Sequence, residues 1–278
     1  MTLEEFRTEI DRRERFEFGE NWKSFLKNLS KAQIKYAEES LCEMLGFDDL
    51  TGKNFLDIGS GSGLSSLAAR NKGAKVTSFD FDETSVWCTA ELKKRFFKDD
   101  EDWVVEQGSV LDRDFLVSFG GQDIVYSWGV LHHTGRMWSA IDNSLTCVKS
   151  NGVFFIAVYN DQGFKSHAWW LVKSFYNNLP KFLKKPFAYT MGSSLQLVTI
   201  LKYTIKLEPM TVVRPMLNYK KSRGMSMFTD VVDWYGGFPF EFAKYNYLVD
   251  YIENKGFKLI KGKENTSLGC HELIFLKH

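Results

Sequence analysis

The spacing of hydrophobic positions changes character along the chain. In the first fifty residues it is helical: Trp22, Phe25, Leu26 and Leu29 share one face of "NWKSFLKNL", and Ile34, Ala37, Leu41 and Leu45 repeat the pattern in "IKYAEESLCEML". Gly46 follows where a helix C-cap is expected. From residue 53, short apolar runs alternate with helix-like segments. "NFLDI", "KVTSFD", "DWVVEQG", "QDIVYSW" and "GVFFIAVYN" read as strands, and "LSSLAARNKGA", "ETSVWCTAELKKRFF" and "MWSAIDNSLTCV" as helices. "GVFFIAVYN" shows no alternation, as befits a strand buried on both faces. Such a rhythm predicts a parallel α/β sheet covered by helices on both sides, with the ligand over the C-terminal strand ends. Near the end, "YLVDYIENKGF" reads as a helix. "FKLIKGKEN" and "CHELIFLKH" then form two strands whose link, "TSLG", is short enough for an antiparallel pair.

Residues 160–240 interrupt this rhythm. All five prolines (Pro180, Pro186, Pro209, Pro215 and Pro239) lie there. The expected organisation is an N-terminal helical segment over the ligand site (1–50), a core from 51–160 and 241–278, and an inserted, mostly helical cap (161–240) bearing on substrate. Between residues 160 and 225 stand eleven cations (Lys165, Lys173, Lys181, Lys184, Lys185, Lys202, Lys206, Arg214, Lys220, Lys221 and Arg223) against Asp161 and Glu208. That local excess of nine sets the rest of a +1 chain at −8. The basic cap admits a solvated face, an acidic acceptor, or RNA or an anionic membrane. Trp169, Trp170, Phe175 and Tyr176 interleave with Lys165 and Lys173, which suits a helix at a membrane interface. No KH, RRM or OB signature is present, so nucleic acid is the less favoured partner.

Composition removes other classes. A hydrophobic content of 44% supports a sizeable core and argues against global disorder. "MTLEEFRTEIDRRERF" is dense in both charges and has no apolar core of a signal peptide. Cys42, Cys88, Cys147 and Cys270 are scattered without CxxC pairing, so they read as reduced thiols of a cytoplasmic protein. No metal site is expected.

The chemistry concentrates in "FLDIGSGSGL". A dinucleotide fingerprint would be G-x-G-x-x-G, but counting from Gly59 through Gly61 the sixth position is Leu64, and no Gly-Lys-Ser/Thr closes a phosphate loop. Asp57, just ahead of the turn, would repel a phosphate. Asp80 ends the second strand 21 residues after Gly59, where an acid accepts from both ribose hydroxyls. In "EQGSVLD", Ser109 and the Val110 backbone fall beside an adenine edge. An adenosine ligand with a cationic amino-acid tail fits this set.

The chain here resembles the class I S-adenosylmethionine-dependent methyltransferases in "DIGSGSG", "SFD", "GSVLD" and "DIVYSWGVLHHT", over roughly residues 53–160 and 240–278. The resemblance implies a Rossmann-like, doubly wound sheet of about seven strands with an antiparallel last strand. It implies S-adenosylmethionine as cofactor and S-adenosylhomocysteine as product. Asp57 would order the methionine end, Gly59, Gly61 and Gly63 would permit close approach, and Asp80 would hold the ribose; Ser60, Phe81, Ser109, Val110 and Ser127 complete the implied cofactor set. Ser109 departs from the acid that many members place against the adenine amine. The acceptor belongs at the end of strand four. A short helix starting at Ser127 would set Gly129, His132 and His133 on one face, and His133, six residues after Ser127, corresponds to a position that often carries an active-site histidine. His133, then His132, are the expected bases, histidine titrating near neutrality. Tyr159, Asn160, Trp234 and Tyr235 are candidate acceptor contacts. The expected activity is methyl transfer to an O or N nucleophile of a small metabolite, or of a glycan or lipid precursor. An RNA methyltransferase and a non-catalytic cofactor-binding module are the alternatives.

Overall fold

The computed structural model describes residues 3–205, 210–211 and 227–278. Pro209, Pro215, Glu208 and five cations of the insert (Lys206, Arg214, Lys220, Lys221, Arg223) lie outside the described residues.

Three helices open the chain: α1 (Leu3–Asp11), α2 (Gly19–Lys27) and α3 (Lys31–Leu45). Ser30 and Gln33 form a reciprocal capping box at the start of α3, and Gly46 closes it in the left-handed conformation. The core then runs β1 (Asn54–Ile58), α4 (Leu64–Asn71), β2 (Lys75–Asp80), α5 (Glu83–Phe96), β3 (Trp103–Gln107), α6 (Arg113–Val117), β4 (Gln122–Trp128), a 3-10 turn (Leu131–His133), α7 (Met137–Thr146) and β5 (Val148–Tyr159). The insert supplies α8 (Phe164–Asn178), α9 (Lys181–Ile205) and α10 (Met227–Gly236), and α11 (Tyr245–Glu253), β6 (Phe257–Lys263) and β7 (Cys270–Lys277) finish the chain.

The seven strands order as β3-β2-β1-β4-β5-β7-β6. The first five are mutually parallel, and β7 lies antiparallel to both β5 and β6. The expected doubly wound sheet with a reversed last strand is therefore present. Its two faces bury separate clusters. On β5, Phe154, Ile156 and Val158 face α7 and α11, while Val153 and Phe155 face the side covered by α3 and α4. This explains why the strand shows no alternation: both sides of the pleat are dry.

The order reverses between β1 and β4, so the C-terminal ends of β1, β2 and β4 open onto one crevice. One sequence expectation fails there. No helix starts at Ser127, because β4 stays paired to β5 through Trp128 and Ala157. Gly129, at φ +77°, then breaks the strand, and only one 3-10 turn follows.

The insert has a small core of its own, Tyr176, Ala188 and Tyr235, joined by Trp169 and by Phe16 from the N-terminal segment. Lys173, counted above with the basic surface, belongs inside it: the residue is 1% exposed. Its ammonium donates to the Trp234 carbonyl and sits 4.9 Å from the Phe240 ring centroid and 5.6 Å from that of Tyr159. Trp169 and Tyr176 also turn inward, so the interleaving of aromatics and lysines in α8 divides between two faces. Burial holds the Lys173 ammonium down at about 7 against an ordinary 10.5.

This shift has a definite sign. The folded chain binds fewer protons than the unfolded one between about 7 and 10.5, so the Lys173 contribution to stability rises with pH across that window. Urea unfolding of the wild type and Lys173→Met at pH 7 and pH 10 should show the difference moving in favour of the wild type at the higher pH. A difference that does not change with pH would refute a buried, shifted ammonium.

Candidate active site

The site begins with two strand ends. Asp57, on β1, is paired in register with Ser78 on β2, and Asp80 closes β2 opposite Gln107. Asp57 Oδ2 accepts from Ser66 Oγ of α4 at 2.5 Å. Ser66 Oγ lies 2.6 Å from Ser78 Oγ, which in turn accepts from Trp103 Nε1 at 2.9 Å. A buried hydroxyl chain thus fixes the carboxylate from behind. Asp80 Oδ2 accepts from the Gly61 N–H at 2.9 Å, and Oδ1 accepts from the Asp82 N–H at 3.0 Å. The helix-capping role falls to Asp82, which accepts from the Thr84 N–H, leaving Asp80 to the crevice.

Among the described residues, neither acid meets a cation. Burial pushes Asp57 up to about 7, helped by the nearby Asp80 charge, and burial pushes Asp80 up to about 6.

Between the acids runs the glycine turn. Gly59 and Gly61 adopt φ of +77° and +55°, which glycine alone tolerates cheaply. A Cβ on Gly59 would come within 2.3 Å of Val130 Cγ1, and one on Gly61 within 3.0 Å of the Trp22 indole nitrogen. The turn is thus pressed from both sides by protein as well as shaped for a ligand.

Above it lies a cavity of about 270 Å³. Of the expected cofactor residues, Asp57, Gly59, Ser60, Gly61, Asp80, Phe81, Ser109 and Val110 line it. Gly63 and Ser127 do not. Gly63 caps α4, where a Cβ would lie 2.9 Å from the Thr89 backbone, and buried Ser127 donates to the Ile58 carbonyl at 3.1 Å, tying β4 to β1. Phe18 and Trp22, from the N-terminal segment, reach over the cavity, and the Gly19 N–H donates to Asp82 Oδ2 at 2.8 Å. Sequence reasoning read Trp22 only as part of an apolar stripe and passed over Phe18. An aromatic beside the glycine turn is visible in the sequence, but its direction is not.

The same cavity is also lined by His133, Val130, Trp128 and Phe18. His133 Nδ1 lies 2.7 Å from the Pro239 carbonyl, so Nδ1 bears the hydrogen and Nε2 the lone pair. Burial, followed by the Lys173 charge, pushes the His133 imidazole down to about 3. The base of ordinary pKa expected from the sequence is thus replaced by an imidazole that stays neutral throughout the physiological range.

His132 lies behind His133, off the cavity wall. Its ring centroid lies 4.0 Å from that of Tyr159, its Nδ1 has no partner among the described residues, and burial holds its pKa well below the ordinary value. Tyr159, Asn160 and Trp234 face a second, much smaller pocket of about 20 Å³ beside Lys173. Asn160 donates there to the Ser267 carbonyl. Tyr235 is fully buried in the core of the insert. The four expected acceptor contacts therefore do not converge on the main cavity. No group of side chains that could hold a metal ion occurs among the described residues.

The comparisons agree with this geometry. The sequence model for the family described as a methyltransferase domain matches residues 29–185, more than half of the chain, and the chain belongs to that family. The fold and the family together define an S-adenosylmethionine-dependent methyltransferase of class I. Among solved structures, magnesium protoporphyrin IX methyltransferase from Synechocystis with bound SAH is similar at TM-score 0.54 and 12% identity, over 93% of this chain and 94% of that one. An O-methyltransferase family protein from Burkholderia thailandensis is similar at 0.52 and 10% identity, over 88% of this chain and 57% of that one. No curated protein matches in sequence.

The residues fit the cofactor. Buried Asp57 and half-buried Asp80, which meet no cation among the described residues, stand where a positively charged amino-acid tail and a ribose would be received, and the turn between them carries no side chain at Gly59 or Gly61. Since Asp57 would have to be ionised to receive that cation and Asp80 to accept from both ribose hydroxyls, cofactor affinity should rise as pH rises through 6 to 7. For the free protein the sign is opposite: a carboxyl raised from 3.8 to about 7 loses its stabilising contribution as pH rises through that window. Asp57→Asn should therefore weaken binding of S-adenosylhomocysteine by roughly 10- to 100-fold while leaving the free protein at least as heat-stable at pH 8. Calorimetry and thermal melts check both. Retained affinity would remove Asp57 from the cofactor site.

Proposed function

We propose that the protein moves a methyl group from S-adenosylmethionine to an O or N nucleophile of a small acceptor that enters the His133 end of the cavity. One observation carries this reading. The cavity lined by Asp57 and Asp80 continues without a dividing wall to Val130, Trp128, Phe18 and a neutral imidazole. The cofactor supplies a sulfonium methyl that is already electrophilic, so the protein's task is to align the nucleophile within about 3–3.5 Å and exclude water. Phe18 and Val130 supply apolar walls. His133 Nε2, its tautomer fixed by the Pro239 carbonyl, accepts the hydrogen of an O–H or N–H and orients the lone pair. With an imidazole near 3, this is a positioning hydrogen bond and not a proton transfer; it suits a nucleophile that attacks through a lone pair while still carrying a hydrogen, such as a neutral amine, whose excess proton passes to solvent once the methyl has moved and S-adenosylhomocysteine has left.

The described lysines of the insert are absent from the cavity wall. An anionic acceptor would meet Arg15, whose guanidinium lines the cavity while donating to the His133 and Thr134 carbonyls and pairing with Glu9.

The test is incubation with methyl-labelled cofactor and a small-molecule extract, with mass spectrometric identification of the labelled product. Absence of S-adenosylhomocysteine binding in calorimetry would end the proposal. Once an acceptor is known, His133→Ala should keep cofactor affinity and lower kcat by roughly 10²-fold or more. With saturating cofactor, kcat should stay level between pH 6 and 8, since His133 is already neutral there. A fall in kcat near 6.5 would restore a titrating histidine base.

A further inference from the structure

The insert turns a large apolar surface outward. On α8, Phe164, Leu171 and Phe175 stand at i, i+7 and i+11, a single stripe, and Phe164 is 87% exposed. On α9, Leu197, Val198, Leu201 and Ile205 form a second exposed run, and Ile205 is 82% exposed. The inward side of α9 is the opposite one: Ala188 is fully buried, and Gly192 lets Val231 of α10 approach. The two outward surfaces meet where the Phe175 ring lies 5.7 Å from that of Phe187, next to exposed Phe182 and Leu183.

Charge decides what would cover this surface. α9 carries Lys181, Lys184, Lys185 and Lys202 and no acid, and exposed Lys165 adds to the same sign on α8. By helical spacing Lys184 and Lys202 border the apolar arc of α9, whereas Lys181 and Lys185 fall on the opposite side. Exposed leucine, isoleucine and phenylalanine on two helices that carry lysine and no acid is the pattern of a helix lying in a bilayer interface, where apolar side chains enter the acyl boundary and ammonium groups meet anionic headgroups. No helix among the described residues is long and apolar enough to cross a membrane.

We infer that the α8–α9 surface docks on an anionic lipid bilayer. The occupant is the negatively charged headgroup layer together with the outer acyl region. The inference needs no acceptor and stands or falls apart from the catalytic proposal.

The experiment is sedimentation of the full chain with phosphatidylcholine vesicles, with and without about a third phosphatidylglycerol. Binding is expected to the anionic vesicles, weakening as salt screens the lysines. Leu197→Glu/Leu201→Glu should lower partitioning at least ~10-fold, with S-adenosylhomocysteine calorimetry unchanged as the check on folding. Should that variant fail to fold, Lys165→Gln/Lys202→Gln provides the second arm, with a loss of roughly 10-fold on anionic vesicles. No binding to either vesicle, or equal binding by wild type and variants, would overturn the inference. So would a dimer seen by light scattering that the glutamates abolish while vesicles stay unbound; a second copy would then cover the face.

Discussion

The site depends on a cost: two carboxylates at adjacent strand ends, Asp57 buried and Asp80 half-buried, with no cation to meet them among the described residues. Asp57 and Asp80 sit on β1 and β2, and each is pushed upward chiefly by loss of water. Protein sites that bury acids normally supply an Arg or Lys. This one supplies hydroxyl and amide hydrogens instead, from Ser66 to Asp57 and from Gly61 and Asp82 to Asp80. Those donors hold the acids in place without neutralising them. A ligand bringing both a positive centre and ribose hydroxyls relieves the penalty, and one bringing a phosphate adds to it. The preference is thus built into the free protein.

The glycine turn is the second constraint, and it works through packing as much as through ligand approach. Each of Gly59, Gly61 and Gly63 is answered by a neighbour, respectively Val130 beyond β4, Trp22 in α2 and Thr89 in α5. The turn that receives the cofactor is consequently gripped by the strand-four loop, the N-terminal segment and the following helix. Trp22 also lines the cavity, so one side chain of the N-terminal segment both packs against Gly61 and faces the space above the turn.

The sheet was legible in the sequence because its signals are local: strand length, β-rich composition and the glycine that ends each helix. Asp57 and Asp80 were legible for the same reason, since a strand-end acid beside a glycine turn leaves few directions for its side chain. The acceptor end was not. Ser127 reads as the start of a helix until its partner strand is known, and pairing with β5 overrides that preference. Lys173 reads as a surface cation at a helical position, and only the arrival of Trp234 and Phe240 from some sixty residues later shows it to be enclosed. Tyr159 and Trp234 read as acceptor contacts, but they line a separate small pocket, with the His132 ring packed between Tyr159 and His133. Residue types were readable; contacts between segments distant in sequence were not.

That distinction locates the determinants of acceptor choice. His133 is held from several segments at once. Arg15 ties down its carbonyl, the Pro239 carbonyl orients its ring, and Phe18 and Tyr159 pack beside it. Gly237, just past α10, comes so close that a Cβ would lie 2.8 Å from the ring. The neighbouring Gly236 faces Phe16 in the same way, and the Phe16 N–H donates to the Phe238 carbonyl. No described residue of the insert touches Asp57 or Asp80 in this way. The surroundings of Asp57 and Asp80 are therefore set by the sheet, whereas those of His133 are assembled where the N-terminal segment and the return of the insert meet strand four. Changes in the insert can reshape the approach to His133 while the carboxylate pair and its glycine turn stay as they are.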